Sequence, residues 1–260
     1  MNILVLGAAG MLGSAVFRVL SEDFGLKVFG TLRQMENNRY FIAELASRLI
    51  EVEDVESQNE LEHLFSSLCP DIVINCIAVR KPTPSDLIKF MNIYSLLPRR
   101  LAHWCRLFDA RLIQIGTDGV FSGDRGGYSE DDYPDSSDLY GLSKLLGELS
   151  EPHTITLRTS IIGHELQNKT GLLEWFLSQQ TECSCYTRSI FSGFPTIVLA
   201  QIIRDVIIPR PDLYGIYHIA SQPVSKFDLL QLVAKKYGKK INIVPDDTVV
   251  VDRSLSADKF

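Results

Sequence analysis

Short apolar runs alternate along this chain with longer segments in which apolar residues recur every three or four positions. Residues 2–6 are mostly apolar, as expected of a strand buried on both faces. Further strands are predicted at residues 26–32, 49–55, 71–77, 111–116 and 154–159. Helices are predicted at residues 14–20, 59–67, 87–108, 171–180, 197–208 and 226–237. Pro98 marks a break or a fresh start in the third helix, and Ser225 is a good N-cap for the last.

This alternation of strands and helices favours an α/β fold with a doubly wound parallel sheet. We expect residues 1–160 to form one domain. Residues 161–260 are expected to form mainly a small C-terminal lobe, interleaved with the first domain. The sequence contains no flexible linker, internal repeat or low-complexity segment between the two parts.

A glycine turn follows the first strand directly. Gly7, Gly10 and Gly13 have the spacing G-x-x-G-x-x-G and lead into the first helix. Gly7 permits the tight turn, Gly10 lets the backbone approach a pyrophosphate, and Gly13 lets the helix pack against the strand. The helix N-terminus then offers N–H groups to the phosphates. A lone glycine triplet also fits an ordinary turn, but its position after a buried strand favours a dinucleotide-binding, Rossmann-type domain.

Tyr140 and Lys144 are four residues apart on a predicted helix, so their side chains lie on one face. The helix carries a leucine stripe expected to pack on the core, formed by Leu142, Leu145, Leu146 and Leu149. A free phenol has a pKa of about 10, and a neighbouring cation is expected to lower it. The pair predicts a proton-transfer site, the alternative being a surface tyrosine beside a solvated lysine.

The glycine turn and the Tyr140/Lys144 pair together resemble the short-chain dehydrogenase/reductase superfamily, in its extended, sugar-nucleotide branch. Residues 117–123 have the form T-D-x-V-F-x-G, which is typical of the dTDP-4-dehydrorhamnose reductase group. Residues 75–78, 128–134 and 194–196 also suit that group. The resemblance covers essentially the whole chain, although members usually continue for another helix or so beyond the position of Phe260.

The resemblance implies a set of site residues. The catalytic residues would be Thr117, Tyr140 and Lys144. The cofactor-binding residues would be Gly7, Gly10, Met11, Leu12, Gly13, Thr31, Arg33, Asp54, Val55, Cys76, Ile77, Ala78, Tyr140, Lys144 and Thr159. Weaker assignments for substrate contact are Thr117, Asp118, Phe121, Trp175, Pro195 and Thr196. For Trp175 a place in the core is the favoured alternative.

The end of the second strand bears on the choice of nicotinamide cofactor. A carboxylate there would hydrogen-bond the ribose of NAD, but Thr31, Leu32 and Arg33 offer none. Arg33 is suited to the 2′-phosphate of NADP, the alternative being a solvated loop residue. We therefore expect NADP as the cofactor, with NAD as the alternative.

Composition excludes several functional classes. The chain has 26 lysines and arginines and 32 aspartates and glutamates. The resulting net charge of −6 disfavours nucleic-acid binding. The apolar runs are far shorter than the roughly 20 residues that span a bilayer, and no signal-peptide pattern opens the chain. We expect a cytoplasmic protein, monomeric or homodimeric, that binds neither nucleic acid nor membrane.

The cysteines and histidines give no sign of a metal site. Five cysteines without a C-x-x-C pair favour a reducing compartment. Cys183 and Cys185 have no histidine at zinc-like spacing, and Cys76 and Cys105 lie in apolar contexts that suit the core. His218 lies in a strand-like run and is expected to be structural.

Together with the resemblance, these residues predict an NAD(P)H-dependent reductase of a nucleotide-linked 4-keto-6-deoxy sugar, in deoxysugar or polysaccharide precursor synthesis. Tyr140 would donate a proton, Lys144 would lower the pKa of Tyr140 and hold the nicotinamide ribose, and Thr117 would hydrogen-bond the substrate oxygen. One alternative is an NAD-dependent epimerase or dehydratase. Gly119, where a dehydratase typically has a second acid, favours a reductase. Another is a non-catalytic NADP-binding regulatory subunit, like that of methionine adenosyltransferase, which the complete catalytic set disfavours.

Overall fold

Seven parallel strands form the central sheet in the computed structural model, which describes residues 1–79, 87–167 and 169–260. The strands are β1 (Asn2–Leu6), β2 (Lys27–Leu32), β3 (Leu49–Glu51), β4 (Ile72–Asn75), β5 (Arg111–Ile115), β6 (Thr154–Arg158) and β11 (Gly215–His218). Their order is β11-β6-β5-β4-β1-β2-β3. The order reverses at β1, so the carboxyl edge between β1 and β4 is a topological switch point. The predicted Rossmann-type α/β fold is confirmed.

Helices cover both faces of this sheet. They are α1 (Met11–Ser21), α2 (Ala43–Ala46), α3 (Gln58–Leu68), α4 (Leu87–Met91), α5 (Leu97–Leu107), α6 (Leu139–Leu146), α7 (Leu172–Ser178), α8 (Thr196–Ile202) and α9 (Lys226–Tyr237). A π-helical turn, Asn92–Leu96, joins α4 to α5, and Pro98 lies in the first turn of α5, where a fresh start was predicted. Within the described ranges, no helix has the length and apolar character needed to cross a bilayer.

β1 is buried on both faces, and this explains its almost continuous apolar sequence. Ile3 and Val5 pack in one cluster with α1 and α8. Leu4 and Leu6 point the opposite way and pack with α3, α5 and the π turn. Because successive strand residues alternate between faces, a strand between two helical layers must be apolar at nearly every position.

The remaining strands form short ladders. They are β7 (Ile161–Ile162), β8 (Glu182–Tyr186), β9 (Ser189–Phe191), β10 (Phe194–Pro195), β12 (Val224–Ser225), β13 (Asn242–Asp246) and β14 (Val251–Asp252). β8 and β13 pair with each other and share a small core with α7 and α9. β11 and α8 also come from the second half of the chain. However, β11 pairs with β6 in the central sheet, and α8 packs on α1. The division into two domains near residue 160 stays a prediction.

The predicted leucine stripe of α6 is wrong for Leu142 and Leu146, whereas Leu149 is buried and Leu145 packs partly against a small core cluster. Leu142 and Leu146 are 44% and 51% exposed, whereas Gly141 and Ser143 on the same helix are buried. A Cβ at Gly141 would overlap the backbone oxygen of Gly119. The helix therefore approaches part of its surroundings through small residues, and Leu142 and Leu146 point outward.

Candidate active site

The glycine turn between β1 and α1 is shaped by contacts that leave no room for side chains. Gly7 has φ +78°, and a Cβ there would lie 3.1 Å from Ile77 Cγ1. A Cβ at Gly13 would overlap the carbonyl oxygen of Gly7. Among the described residues, no side chain caps the α1 N-terminus at Gly10. The amides of the first helical turn are therefore available to an anion.

The end of β2 holds this turn in place. The N–H of Gly7 donates to Thr31 Oγ1 at 3.0 Å, and the N–H of Ala8 donates to the Thr31 carbonyl oxygen at 2.9 Å. Thr31 thus orients the glycine turn through its hydroxyl and its backbone. Arg33 is exposed, and its side chain has no hydrogen bond or ion pair in the part of the chain that the structure describes.

The segment after β4 lies beside the glycine turn. Asn75 ends β4 with its side chain donating to Gln114 Oε1 at 2.9 Å, while its Oδ1 accepts from the N–H of Ile77 at 3.2 Å. Cys76 is buried, and its carbonyl oxygen would lie 3.9 Å from a Cβ at Gly10.

Other predicted cofactor residues lie at neighbouring strand ends or in a loop. Ala78 is exposed, and Val55 packs partly against the core. The Asp54 carboxylate accepts a hydrogen bond from the N–H of Glu56 at 2.9 Å. Met11 and Leu12 open α1, and Thr159 directly follows β6 and is buried.

Thr117 lies shortly after β5 and points its hydroxyl towards α6, the helix that carries Tyr140 and Lys144. Its Oγ1 accepts from the N–H of Gly119 at 3.0 Å and lies 3.3 Å from Asp118 Oδ1. A Cβ at Gly119 would lie 3.1 Å from Tyr140 Cε1 and 3.2 Å from this hydroxyl, so the Tyr140 ring and Thr117 are neighbours. The structure therefore brings together Thr117 and Tyr140, which are far apart in sequence.

Tyr140 has a raised pKa, and burial of the phenol is the main cause. The neighbouring Thr117 hydroxyl and the charge of Arg253 act in the opposite direction, while the charges of Asp118 and Asp138 raise the pKa further. That Lys144 lowers this pKa stays a prediction, and in the protein without cofactor the net shift is upward. Desolvation of the phenolate dominates, and the lysine is engaged elsewhere.

Lys144 donates from Nζ to the carbonyl oxygen of Ile115 at 2.8 Å. Burial of the ammonium lowers its pKa to about 8, with the charges of Glu148 and Cys76 opposing the shift. The ammonium also lies 4.9 Å from the centre of the Tyr94 ring. A lysine with this pKa changes its charge near physiological pH, as functional lysines do.

Two residues that the sequence did not single out join this site. Tyr94, on the π turn, contacts Lys144 and also lies 5.6 Å from the Tyr140 ring, centre to centre. Ser160 donates its hydroxyl to Asp118 Oδ2 at 2.7 Å. Burial raises the pKa of Asp118, and the hydrogen bond from Ser160 is the largest opposing influence.

Of the residues assigned more weakly to substrate contact, Phe121 is buried away from any ligand, whereas Pro195 and Thr196 lie near the carboxyl edge of the sheet. Phe121 is fully buried and stacks on Tyr128 at 4.2 Å, so it has no surface for a ligand here. Trp175 on α7 is 37% exposed, so the expectation of a core position is wrong. Pro195 pairs with Ile162 just beyond the end of β6, and Thr196 packs against Gly163. These two residues therefore lie near the carboxyl edge of the sheet.

Comparison with known proteins identifies the family of this chain. The family model described as the RmlD substrate binding domain matches residues 1–253. Spore coat polysaccharide biosynthesis protein SpsK of Bacillus subtilis is 28% identical over 232 residues, covering 86% of this chain and 74% of that protein. Methionine adenosyltransferase 2 subunit beta of Bos taurus is 28% identical over 253 residues, covering 91% of this chain and 72% of that protein.

A solved structure extends the likeness to the fold. The crystal structure of a hypothetical dTDP-4-dehydrorhamnose reductase from Sulfolobus tokodaii has a TM-score of 0.78 at 26% identity, covering 100% of this chain and 93% of that chain. Both chains therefore share one architecture over nearly their full lengths. On the family match across residues 1–253, the chain belongs to the RmlD substrate binding domain family, within the extended short-chain dehydrogenase/reductase superfamily.

Proposed function

We propose that this chain is an NADPH-dependent reductase of a nucleotide-linked 4-keto-6-deoxy sugar, of the dTDP-4-dehydrorhamnose type. The observation that carries the proposal is a continuous series of contacts along the carboxyl edge of the sheet. Gly7 packs on Ile77, and the adjacent Cys76 lies near Lys144. Tyr140, one helical turn before Lys144, lies beside Thr117. A dinucleotide lying along this path would run from the phosphate-binding turn to the proton donor.

The residues at the glycine turn fit a nicotinamide dinucleotide. The turn has no room for a Cβ at Gly7 or Gly13, and the α1 N-terminus has no side-chain cap among the described residues. This is the arrangement that lets a backbone approach a pyrophosphate. When bound, the nicotinamide would supply the hydride.

Arg33 is our candidate for recognition of the NADP 2′-phosphate, because it is exposed directly after β2. Arg33→Ala should raise the Kd of NADPH by about 10- to 100-fold, the value of a charge-assisted hydrogen bond, and leave the Kd of NADH nearly unchanged. Fluorescence titration with both cofactors measures this. Arg106→Ala removes an exposed arginine from α5 and is the control. Equal losses for NADPH and NADH, or a wild-type preference for NADH, would contradict the role.

The protein residues would then handle the proton and the developing charge. Because burial keeps the phenol of Tyr140 protonated at neutral pH, Tyr140 is suited to donate its proton to the alkoxide formed from the ketone. Thr117 would hydrogen-bond the same oxygen and stabilise its charge. Lys144 would hold the nicotinamide ribose and replace its present contact with the Ile115 carbonyl.

Gly119 supports a reductase rather than a dehydratase. A Cβ at this position would lie 3.1 Å from Tyr140 Cε1 and 3.2 Å from Thr117 Oγ1. A second acid at this position would therefore press on both Tyr140 and Thr117. The site in its present form suits reduction without elimination.

A non-catalytic binding subunit is the second candidate, and the similarity to methionine adenosyltransferase 2 subunit beta favours it. That reading predicts tight NADPH binding with no turnover of any nucleotide sugar. The proximity of Thr117 to Tyr140 and the buried Lys144 favour catalysis, since cofactor binding alone does not need a proton donor.

The deciding experiment follows the loss of NADPH absorbance after addition of dTDP-4-dehydro-6-deoxy-L-mannose, with NADH in parallel. We expect oxidation by the wild-type protein. Tyr140→Phe should lower kcat by about 10²- to 10⁴-fold, the usual contribution of a positioned acid, with the Kd of NADPH nearly unchanged. Near-normal turnover in Tyr140→Phe would refute the role of the phenol. Tight NADPH binding without oxidation of this sugar or related ones would favour the binding-subunit reading.

A further inference from the structure

Tyr94 contacts both members of the proposed catalytic pair. Its side chain is 4% exposed and lies on the π turn Asn92–Leu96. Lys144 Nζ lies 4.9 Å from the centre of the Tyr94 ring, within the range of a cation–π interaction. The Tyr140 ring lies 5.6 Å away at an interplanar angle of 89°, the perpendicular arrangement that aromatic pairs prefer. One ring thus faces the ammonium and the phenol together.

The hydroxyl of Tyr94 is held by the backbone of Val79. It accepts a hydrogen bond from the N–H of Val79 at 3.0 Å and donates to the carbonyl oxygen of Val79 at 2.8 Å. Val79 directly follows the segment of residues 76–78 that lies beside the glycine turn. The orientation of the Tyr94 ring is therefore set by the backbone of the cofactor-binding segment.

The π turn packs closely against α6, the helix that carries Tyr140 and Lys144. Ser95 donates its hydroxyl to the carbonyl oxygen of Ser143 at 2.8 Å, and a Cβ at Gly147 would overlap the carbonyl oxygen of Tyr94. A π turn costs regular helical hydrogen bonding and often occurs at functional sites. Here it brings the backbone of Tyr94 against the end of α6.

We propose that Tyr94 is a positioning residue that holds Lys144 and Tyr140 at a fixed separation and couples them to the cofactor-binding segment through Val79. The proposal rests on the proposed function, since it assigns Tyr94 to the same site. The ring and the hydroxyl have separate tasks: the ring orients the catalytic pair, and the hydroxyl orients residues 76–79.

Removal of the ring tests the first task. Glu148, Cys76 and Tyr140 are the other titratable groups near Lys144 and Tyr94, and all are retained. In Tyr94→Leu the site stays apolar but loses the π face. The titration midpoint of Lys144 should fall by about 0.5 to 1.5 pH units, as expected from the loss of a buried cation–π contact. NMR of ¹³C-lysine-labelled protein without cofactor measures this, with the Lys144 signal identified by its loss in Lys144→Met.

Removal of the hydroxyl alone tests the second task. Tyr94→Phe keeps a ring that also binds cations, so the midpoint of Lys144 should stay at its wild-type value. The Kd of NADPH should rise by about 5-fold or more, because the two backbone groups of Val79 lose their partner. A structural role in the core alone would not separate these two readouts.

Phe65→Leu is the matched control, since Phe65 is a fully buried ring of the same hydrophobic cluster and packs at tilted angles against Trp104 and Phe108. It should leave both readouts unchanged. Equal midpoints for Lys144 in Tyr94→Leu and Phe65→Leu would overturn the proposal. Where Tyr94→Leu impairs folding, Tyr94→Met fills the space without a ring and gives the same comparison. Failure of the wild-type protein to bind NADPH would contradict the proposed function instead, because the midpoint is measured without cofactor.

Discussion

Asp118 shows at the scale of single residues how a buried charge tunes the proposed proton donor. Its carboxylate accepts from Ser160 at 2.7 Å and lies 3.3 Å from the Thr117 hydroxyl. Both oxygens are therefore engaged by neighbouring hydroxyls. The charge of Asp118 raises the pKa of Tyr140, in the same direction as burial. Asp118 thus helps to keep the phenol protonated and so able to donate.

Asp118→Asn should move the alkaline limb of the pH–rate profile to lower pH. Reduction requires a protonated Tyr140, so activity is lost as pH rises through the pKa of that phenol. Removal of the negative charge lowers this pKa, and the limb should shift down by roughly half to one pH unit. The pH dependence of kcat with NADPH and the dTDP sugar measures the shift.

Ser160→Ala is the control for this prediction, because it removes the 2.7 Å hydrogen bond but keeps the charge of Asp118. Its alkaline limb should stay near that of the wild type. A limb that moves equally in both variants would mean that local packing, and not the charge of Asp118, sets the pKa of Tyr140.

At the scale of elements, the parts that the sequence predicted are those with a local cause. β1, the glycine turn and α1 follow from a continuous apolar run and from glycines whose Cβ atoms would clash. α9 runs over Lys226–Tyr237 as predicted, and the Ser225 side chain caps it by accepting from the N–H of Asp228. Each of these signals lies within a few residues of the structure that it specifies.

The parts that the sequence did not predict depend on contacts between distant segments. Tyr94 lies in a stretch whose pattern fits an ordinary amphipathic helix, and the π turn there is seated on α6 through Ser143 and Gly147. The hydrophobic pattern of α6 pointed to a stripe of leucines, but the fully buried residues of this helix are small and Leu142 and Leu146 are exposed. Ser160 and Asp118 are 42 residues apart, and only the folded sheet edge joins them.

At the scale of the whole molecule, a buried polar network joins the central sheet to the C-terminal segment. His218 on β11 has no exposed surface, and its Nε2 lies 3.2 Å from Arg158 Nη1. Because arginine can only donate, this nitrogen accepts and Nδ1 carries the proton. Nδ1 then donates to the carbonyl oxygens of Tyr128 and Ser256, each at 3.1 Å. One neutral histidine thus holds a loop, the sheet and the C-terminal residues together, in the structural role that the sequence predicted.

This network should make the protein sensitive to acid. Burial lowers the pKa of His218, the charge of Arg158 lowers it further, and the charge of Glu130 opposes both. The unfolded chain therefore takes up a proton at a higher pH than the folded chain. Stability from this group is complete above the unfolded pKa of about 6.5 and is lost as pH falls below it, at up to about 1.4 kcal/mol per pH unit.

Urea unfolding of the wild type and His218→Gln between about pH 7.5 and pH 5 measures this loss. Glutamine stays neutral while keeping one donor and one acceptor, so its free energy of unfolding should fall less steeply with acid than that of the wild type. His63→Gln changes an exposed histidine on α3 and should keep the wild-type slope. Parallel slopes for the wild type and His218→Gln would place the acid sensitivity in other groups. A flatter slope would show that this single buried imidazole, which joins β11, a loop and the C-terminal residues, links proton uptake to unfolding.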